Sequence, residues 1–167
     1  MAALSGLAVG VGAAALVGQS APSTLTVGAF VALLAAMSAV DLRERRIPNA
    51  YVYAGTIAAI ALAGFGGRDV LLAAIGGLAL STLLMGAAYV VGRGRLGMGD
   101  VKLCGFVGAV LGTHAVVAFL LVGSAAGAIG AAVLILRGKG RTTTLAYGPY
   151  LAFGAAYIAI VQGPLVG

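Results

Sequence analysis

Uninterrupted apolar runs recur along this chain, several of them close to the roughly 20 residues that carry a helix across a bilayer. Of its 167 residues, 62% are hydrophobic and only 8% charged, and the mean hydropathy is +1.13. That leaves too little polar surface to clothe a water-soluble globule. The runs are rich in Ala, Leu, Val and 28 glycines and show no period-two alternation, so they read as helices and not as strands of a barrel. The fold class is all-α: a polytopic membrane helix bundle of about seven segments, near 3–19, 23–40, 51–66, 70–92, 101–113, 115–136 and 147–164. Six are full spans, and 101–113 is a short helix that covers about 20 Å of a core near 30 Å. Glycines four apart, Gly6 with Gly10, Gly108 with Gly112 and Gly123 with Gly127, are read as seams where backbones approach closely. Residues 2–17 lack a basic leading region, and Pro22 follows the small-residue pair Ser20-Ala21, so this stretch is read as a membrane helix and not a cleaved signal. No linker or repeat divides the chain, and residues 1–167 are read as one membrane-embedded domain.

Charge placement gives the sidedness. The connections 41–50, 93–100 and 137–146, with Lys102, hold Arg43, Arg45, Arg46, Arg93, Arg95, Lys102, Arg137, Lys139 and Arg141, nine of the ten basic residues. When every segment crosses, these loops share one face. The positive-inside rule makes that face cytoplasmic, with the N-terminus in and the C-terminus out. The net charge of +6 is therefore a matter of loops and not a nucleic-acid footprint. Anionic lipid headgroups are its expected partners, at about 1 kcal/mol for each cation near the surface.

Against this background two acids stand out. Asp41 and Asp100 are half of the four acidic residues, and each sits where an apolar run meets a basic cluster. A carboxylate there carries a desolvation cost that marks it as a functional candidate. A carboxylate pair hydrolyses a peptide bond without metal: one ionised Asp takes a proton from water while the other, protonated, hydrogen-bonds the scissile carbonyl. Two predicted crossings separate the two acids and return the chain to the same face. Asp41 is expected to end one helix and Asp100 to precede and cap another, which leans toward Asp100 as the more readily ionised member. Gly97 and Gly99 are expected to adopt conformations barred to other residues and to leave room for a substrate strand. Pro48 stops any helix continuing from Asp41 and holds Ile47 extended. Position alone also allows Asp41 to pair with Arg45 or Arg46 and Asp100 merely to cap a helix.

In these residues the sequence resembles the type IV prepilin peptidase family, membrane aspartyl proteases of the GxGD class. Asp41 with Ile47, Pro48 and Asn49 matches the family's D-x5-I-P-N pattern, and Gly97, Gly99, Asp100 and Lys102 match G-x-G-D-x-K. Tyr147, Gly148, Pro149, Tyr150, Leu151 and Ala152 resemble a later F/Y-G-P-Y/F-L-A segment, so the likeness runs over roughly residues 30 to 155. No Pro-Ala-Leu motif of the presenilin type is present. The resemblance implies catalytic Asp41 and Asp100, with Pro48, Asn49, Gly97, Gly99, Lys102, Tyr147, Gly148 and Pro149 shaping the loops and the substrate path. It implies removal of a short basic leader from prepilin or pseudopilin precursors, commonly after a glycine, at the cytoplasmic face of a prokaryotic inner membrane. Larger members add a domain with paired CxxC zinc motifs and methylate the new N-terminus. With one cysteine and a short first connection, this chain resembles the short Flp/Tad-type members and is expected to lack methyltransferase activity.

Other signals carry less. Gly92-Arg93-Gly94-Arg95-Leu96-Gly97 spells a dinucleotide fingerprint but has no preceding strand or βαβ unit. Cys104 and His114 are single residues read as packing and interfacial, so no metal set is assembled, and neither metal nor organic cofactor is expected. Lys102, two residues from Asp100, is a candidate to favour its ionised form. Tyr147 and Tyr150 are candidates to line the substrate path. The rival functions are an ion-coupled transporter using the two aspartates, disfavoured because neither acid lies mid-membrane, and a non-catalytic scaffold of a pilus or secretion apparatus.

Overall fold

The computed structural model describes residues 2–18, 20–93, 96–138 and 146–164, without the side chains of Ala21 and Pro22. Seven α-helices occur among them: α1 (Ala2–Leu16), α2 (Ala21–Glu44), α3 (Asn49–Phe65), α4 (Arg68–Val91), α5 (Met98–Leu111), α6 (Val116–Leu136) and α7 (Gly148–Gln162). A single 3-10 turn, Thr113–Ala115, links α5 to α6, and no strand is found among the described residues. Three stretches are long and apolar enough to cross a membrane: Ser23–Glu44, Arg68–Val91 and Thr113–Leu136. Ala2–Leu16, Asn49–Phe65 and Gly148–Gln162 are shorter apolar helices. Arg95, Lys139 and Arg141, counted among the basic loops, lie outside the described residues.

Consecutive helices pair as hairpins, α1 with α2, α4 with α5 and α6 with α7, and α7 closes the bundle by packing on α2. The expected glycine seams hold these pairs together. A methyl group on Gly10 would meet Val31 Cβ at 2.9 Å, and one on Gly123 would meet the Leu151 Cα at 3.1 Å. Gly77 and Gly108 bring α4 and α5 into backbone contact, and the buried Ser81 hydroxyl donates to Gly77 O at 2.6 Å instead of facing lipid unpaired. Large apolar side chains such as Leu16, Phe65, Val91 and Leu136 are left on the outside, where lipid is the solvent.

The centre of the bundle is α5. Val101, Leu103, Cys104, Phe106, Val107, Ala109 and Leu111 are all buried, against α3, α4 and α7. Protein surrounds this helix, so its 14 residues need not match the bilayer thickness. Its bounds differ from the expected 101–113. It begins three residues earlier because Gly97, in an extended conformation, acts as N-cap, and it ends at Gly112, whose φ of 77° breaks the helix. Asp100 therefore lies inside α5 rather than before it. Likewise α2 continues past 40 to Glu44, which places Asp41 within its last turn. The stop comes from Arg45, a left-handed cap with φ 52° whose N–H donates to Asp41 O at 2.8 Å.

Candidate active site

Three loops meet at one end of the bundle and line a cavity of about 510 Å³. The end of α2 and its loop supply Asp41, Arg45, Arg46, Ile47 and Asn49; the start of α5 supplies Gly97, Gly99, Asp100 and Lys102; Tyr147 comes from the approach to α7. Asp41 and Asp100, 59 residues apart in sequence, thus share one wall. They are only 7% and 8% exposed, unusually low for carboxylates that have no ion pair among the described residues.

Asp100 is held by its own helix. At the third helical position it accepts the Gly97 N–H at 3.2 Å, while its backbone N–H donates to Gly97 O at 3.0 Å. The capping role anticipated for it is present. Its acidity is not as anticipated: burial, and next the charge of Asp41, raise its pKa from 3.8 to about 6, against the smaller opposing effect of the Gly97 hydrogen bond. That rise corresponds to about 3 kcal/mol, larger than the 0.3–1 kcal/mol or so of an exposed helix terminus. At Asp100 desolvation outweighs capping, and with the charge of Asp41 beside it the two carboxylates titrate as a pair.

Asp41 Oδ2 is buried with no hydrogen-bond partner among the described residues, although the Gly148 backbone N–H faces the same carboxyl group. Arg46 pairs with Glu44 at 2.8 Å, so its guanidinium is engaged away from Asp41. Gly148 fits against the acid so closely that an added methyl would lie 2.7 Å from Oδ2. Pro149 sits in the first turn of α7, a position that needs no N–H, and starts that helix at the site. Pro48 is the extended N-cap of α3, with φ −66° and ψ 117°, and lines a neighbouring cavity with Asn49.

Two assigned roles change. Neither Gly97 nor Gly99 has a positive φ; left-handed backbone in these loops belongs to Arg45 and Arg93. What the two glycines supply is space, since a methyl on Gly99 would stand 3.2 Å from Ile47 Cβ and one on Gly97 would stand 3.0 Å from Asp100 Oδ2. Lys102 does not pair with Asp100. Its Nζ donates to Asn49 Oδ1 at 3.1 Å and lies 5.4 Å from the centre of the Tyr53 ring, fastening α5 to α3. Tyr147 lines the cavity and its hydroxyl donates to Ser124 Oγ at 3.0 Å. Tyr150 instead packs on Gly130 of α6. Ile47, read only as part of a motif, proves to be a buried wall of the cavity. Among the described residues no three His, Cys, Asp or Glu side chains gather as metal ligands.

A family model described as the type IV leader peptidase family matches residues 28–132, which include both aspartates and end before Tyr147. Proteins named prepilin leader peptidase/N-methyltransferase are similar. That of Xanthomonas campestris pv. campestris is 32% identical over 136 residues, 78% of this chain and 47% of that protein. That of Burkholderia pseudomallei is 34% identical over 155 residues, 89% and 50% of the two chains. That of Aeromonas salmonicida is 37% identical over 98 residues, 58% and 33%. The chain spans about half the length, or less, of these curated relatives. No solved structure matches it. With both aspartates inside the matched region and on one cavity, the chain belongs to the type IV leader peptidase family.

Proposed function

We propose that this chain is an aspartyl endopeptidase that removes the short basic leader from type IV prepilin or pseudopilin precursors, with Asp41 and Asp100 as its catalytic dyad. The supporting observation is the pairing itself: two buried carboxylates from separate motifs on one open cavity, close enough for the charge of one to raise the pKa of the other. With one proton between them, the ionised carboxylate accepts a proton from a water as its oxygen bonds to the scissile carbonyl carbon. The protonated carboxyl gives its proton to the carbonyl oxygen. The tetrahedral diol then collapses: one hydroxyl returns its proton to the carboxylate that had given one up, the C–N bond breaks, and the amine leaves with the proton first taken from water, so the dyad again holds one proton. Pro48, Asn49, Gly97, Gly99, Lys102, Tyr147, Gly148 and Pro149 shape the loops around this pair.

The site is placed at the cytoplasmic face of the inner membrane, in a single domain over residues 1–167 with six full spans, α5 as the short helix and the N-terminus inside. The basic loops support this reading through the positive-inside rule and would contact anionic headgroups. The peptidase is read as acting without N-methyltransferase activity; the short connection between α1 and α2 and the single cysteine, Cys104, support that reading.

The direction of the pH response follows from Asp100. Above about pH 6 both carboxylates ionise and the proton needed on the carbonyl is lost. kcat/KM is therefore expected to fall as pH rises through about 6, and stopped-flow or endpoint cleavage in detergent across pH 4–9 checks it. The function itself is tested by co-expression with a short prepilin and mass measurement of the product. Loss of the leader after a glycine, with no added methyl, is expected; an intact precursor across several prepilins overturns the reading, and a methylated product overturns the peptidase-only part.

A further inference from the structure

The loop between α2 and α3 makes two separate contacts with the first turns of α5, and both come from the segment Ile47-Pro48-Asn49. Ile47 is 9% exposed and wedged between two glycines. Its Cβ would lie 3.2 Å from a methyl on Gly99, beside Asp100, and its Cδ1 would lie 3.3 Å from a methyl on Gly148, the residue against Asp41 Oδ2. Two residues on, Asn49 Oδ1 accepts from Lys102 Nζ at 3.1 Å. Pro48, extended between them, keeps the strip from coiling into α3. Elsewhere α2 and α5 meet through the Phe30 and Phe106 rings, whose centroids are 5.5 Å apart, and through α7, on which both pack. At the end of the bundle that carries Asp41 and Asp100, the loop adds its own link between the start of α5 and the start of α7.

We infer that Ile47 is a positioning residue, a spacer whose branched side chain sets the gap between the turn bearing Gly99, next to Asp100, and the turn bearing Gly148, which lies against Asp41, with the Asn49–Lys102 hydrogen bond pinning the other end of the strip. The inference rests on the dyad reading above. Isoleucine suits the task because its β-branch leaves few rotamers, so the spacer has one length. Glycine at both flanking positions leaves the wedge its room, since a Cβ on Gly99 would stand 3.2 Å from Ile47 Cβ and one on Gly148 would stand 3.3 Å from Cδ1. Shortening the spacer lets the turns bearing Gly99 and Gly148 close on each other. The carboxylates then repel more strongly and titrate further apart.

The test compares wild type with Ile47→Ala and Ile47→Val in a quantitative leader-cleavage assay over pH. Valine keeps the Cβ beside Gly99 and removes only the Cδ1 that reaches Gly148, so it serves if the alanine variant fails to fold. The expected result is a kcat about 10- to 100-fold lower for alanine and less reduced for valine, with KM for the precursor within about threefold. The two limbs of the pH–rate profile should also move apart. Arg45, Arg46, Lys102 and Tyr147, the other charged or titratable groups on the cavity, are common to all three proteins, so a change in limb spacing reports the dyad. Unchanged or narrowed spacing overturns the inference, as does a loss confined to KM. Asp41→Asn and Asp100→Asn run alongside: if either cuts at the wild-type rate, the dyad reading has failed, and that failure is separate from the result for Ile47.

Discussion

Asp41→Asn and Asp100→Asn are each expected to lower leader removal by about 10²- to 10⁴-fold, the range seen when a positioned acid or base is lost. Asparagine matches aspartate in shape, and at position 100 its amide oxygen can still accept the Gly97 N–H. It can neither take a proton from water nor deliver one to an amine. The stability of the Asp100 variant should move the other way. Because the carboxyl pKa rises from 3.8 to about 6 on folding, the native state holds more protons than the unfolded state between those values. The native protein therefore loses stability as pH rises through that window. Asparagine removes both the buried charge and the repulsion from Asp41. Thermal unfolding in detergent at pH 7.5 should show Asp100→Asn at least as stable as wild type, while mass measurement shows uncut precursor. If both variants cut normally, the aspartates are structural and the peptidase reading fails. A loss of both stability and cleavage at Asp100 would instead mean that the carboxylate holds the fold.

Gly148→Ala should cost about 10²-fold in kcat/KM, without touching either carboxyl group chemically. The added methyl would lie 2.7 Å from Asp41 Oδ2, closer than unbonded carbon and oxygen approach, and 3.3 Å from Ile47 Cδ1. Asp41 cannot yield inward because it is already buried in the last turn of α2, so the acid turns away from its partner or α7 shifts. Gly99→Ala makes a useful comparison. Its methyl meets only the Ile47 side chain, nearest at 3.2 Å, which can give by a few tenths of an ångström, and a smaller loss is expected. Kinetics of purified variants on one precursor rank the two. Equal and small effects would mean that the first turn of α7 is not part of the site.

The helices are legible in the sequence because lipid demands long apolar runs, and all seven expected segments match a helix with ends within four residues. The start of α5 reads three residues late, because Gly97 and Met98 look like loop until the cap between Gly97 and Asp100 is seen. Asp41 and Asp100 could be paired by counting crossings. Their acidity could not, since it depends on burial that no local pattern encodes. The same holds for Lys102, whose nearest acid in sequence is Asp100 but whose partner in space is Asn49, 53 residues away. Ile47 was part of a recognised motif and still missed as a wall of the cavity, because an isoleucine announces packing and gives no hint of what it separates.

Gly148 also ties the site to the order in which the chain is made. Asp41 and Asp100 leave the ribosome well before α7, yet the Asp41 carboxyl has Gly148 against it and the cavity has Tyr147 in its wall only once that helix is seated. A nascent chain with α1 to α6 inserted holds both acids and an unfinished site. On the proposed reading, the two acids acquire their complete surroundings only with the insertion of α7.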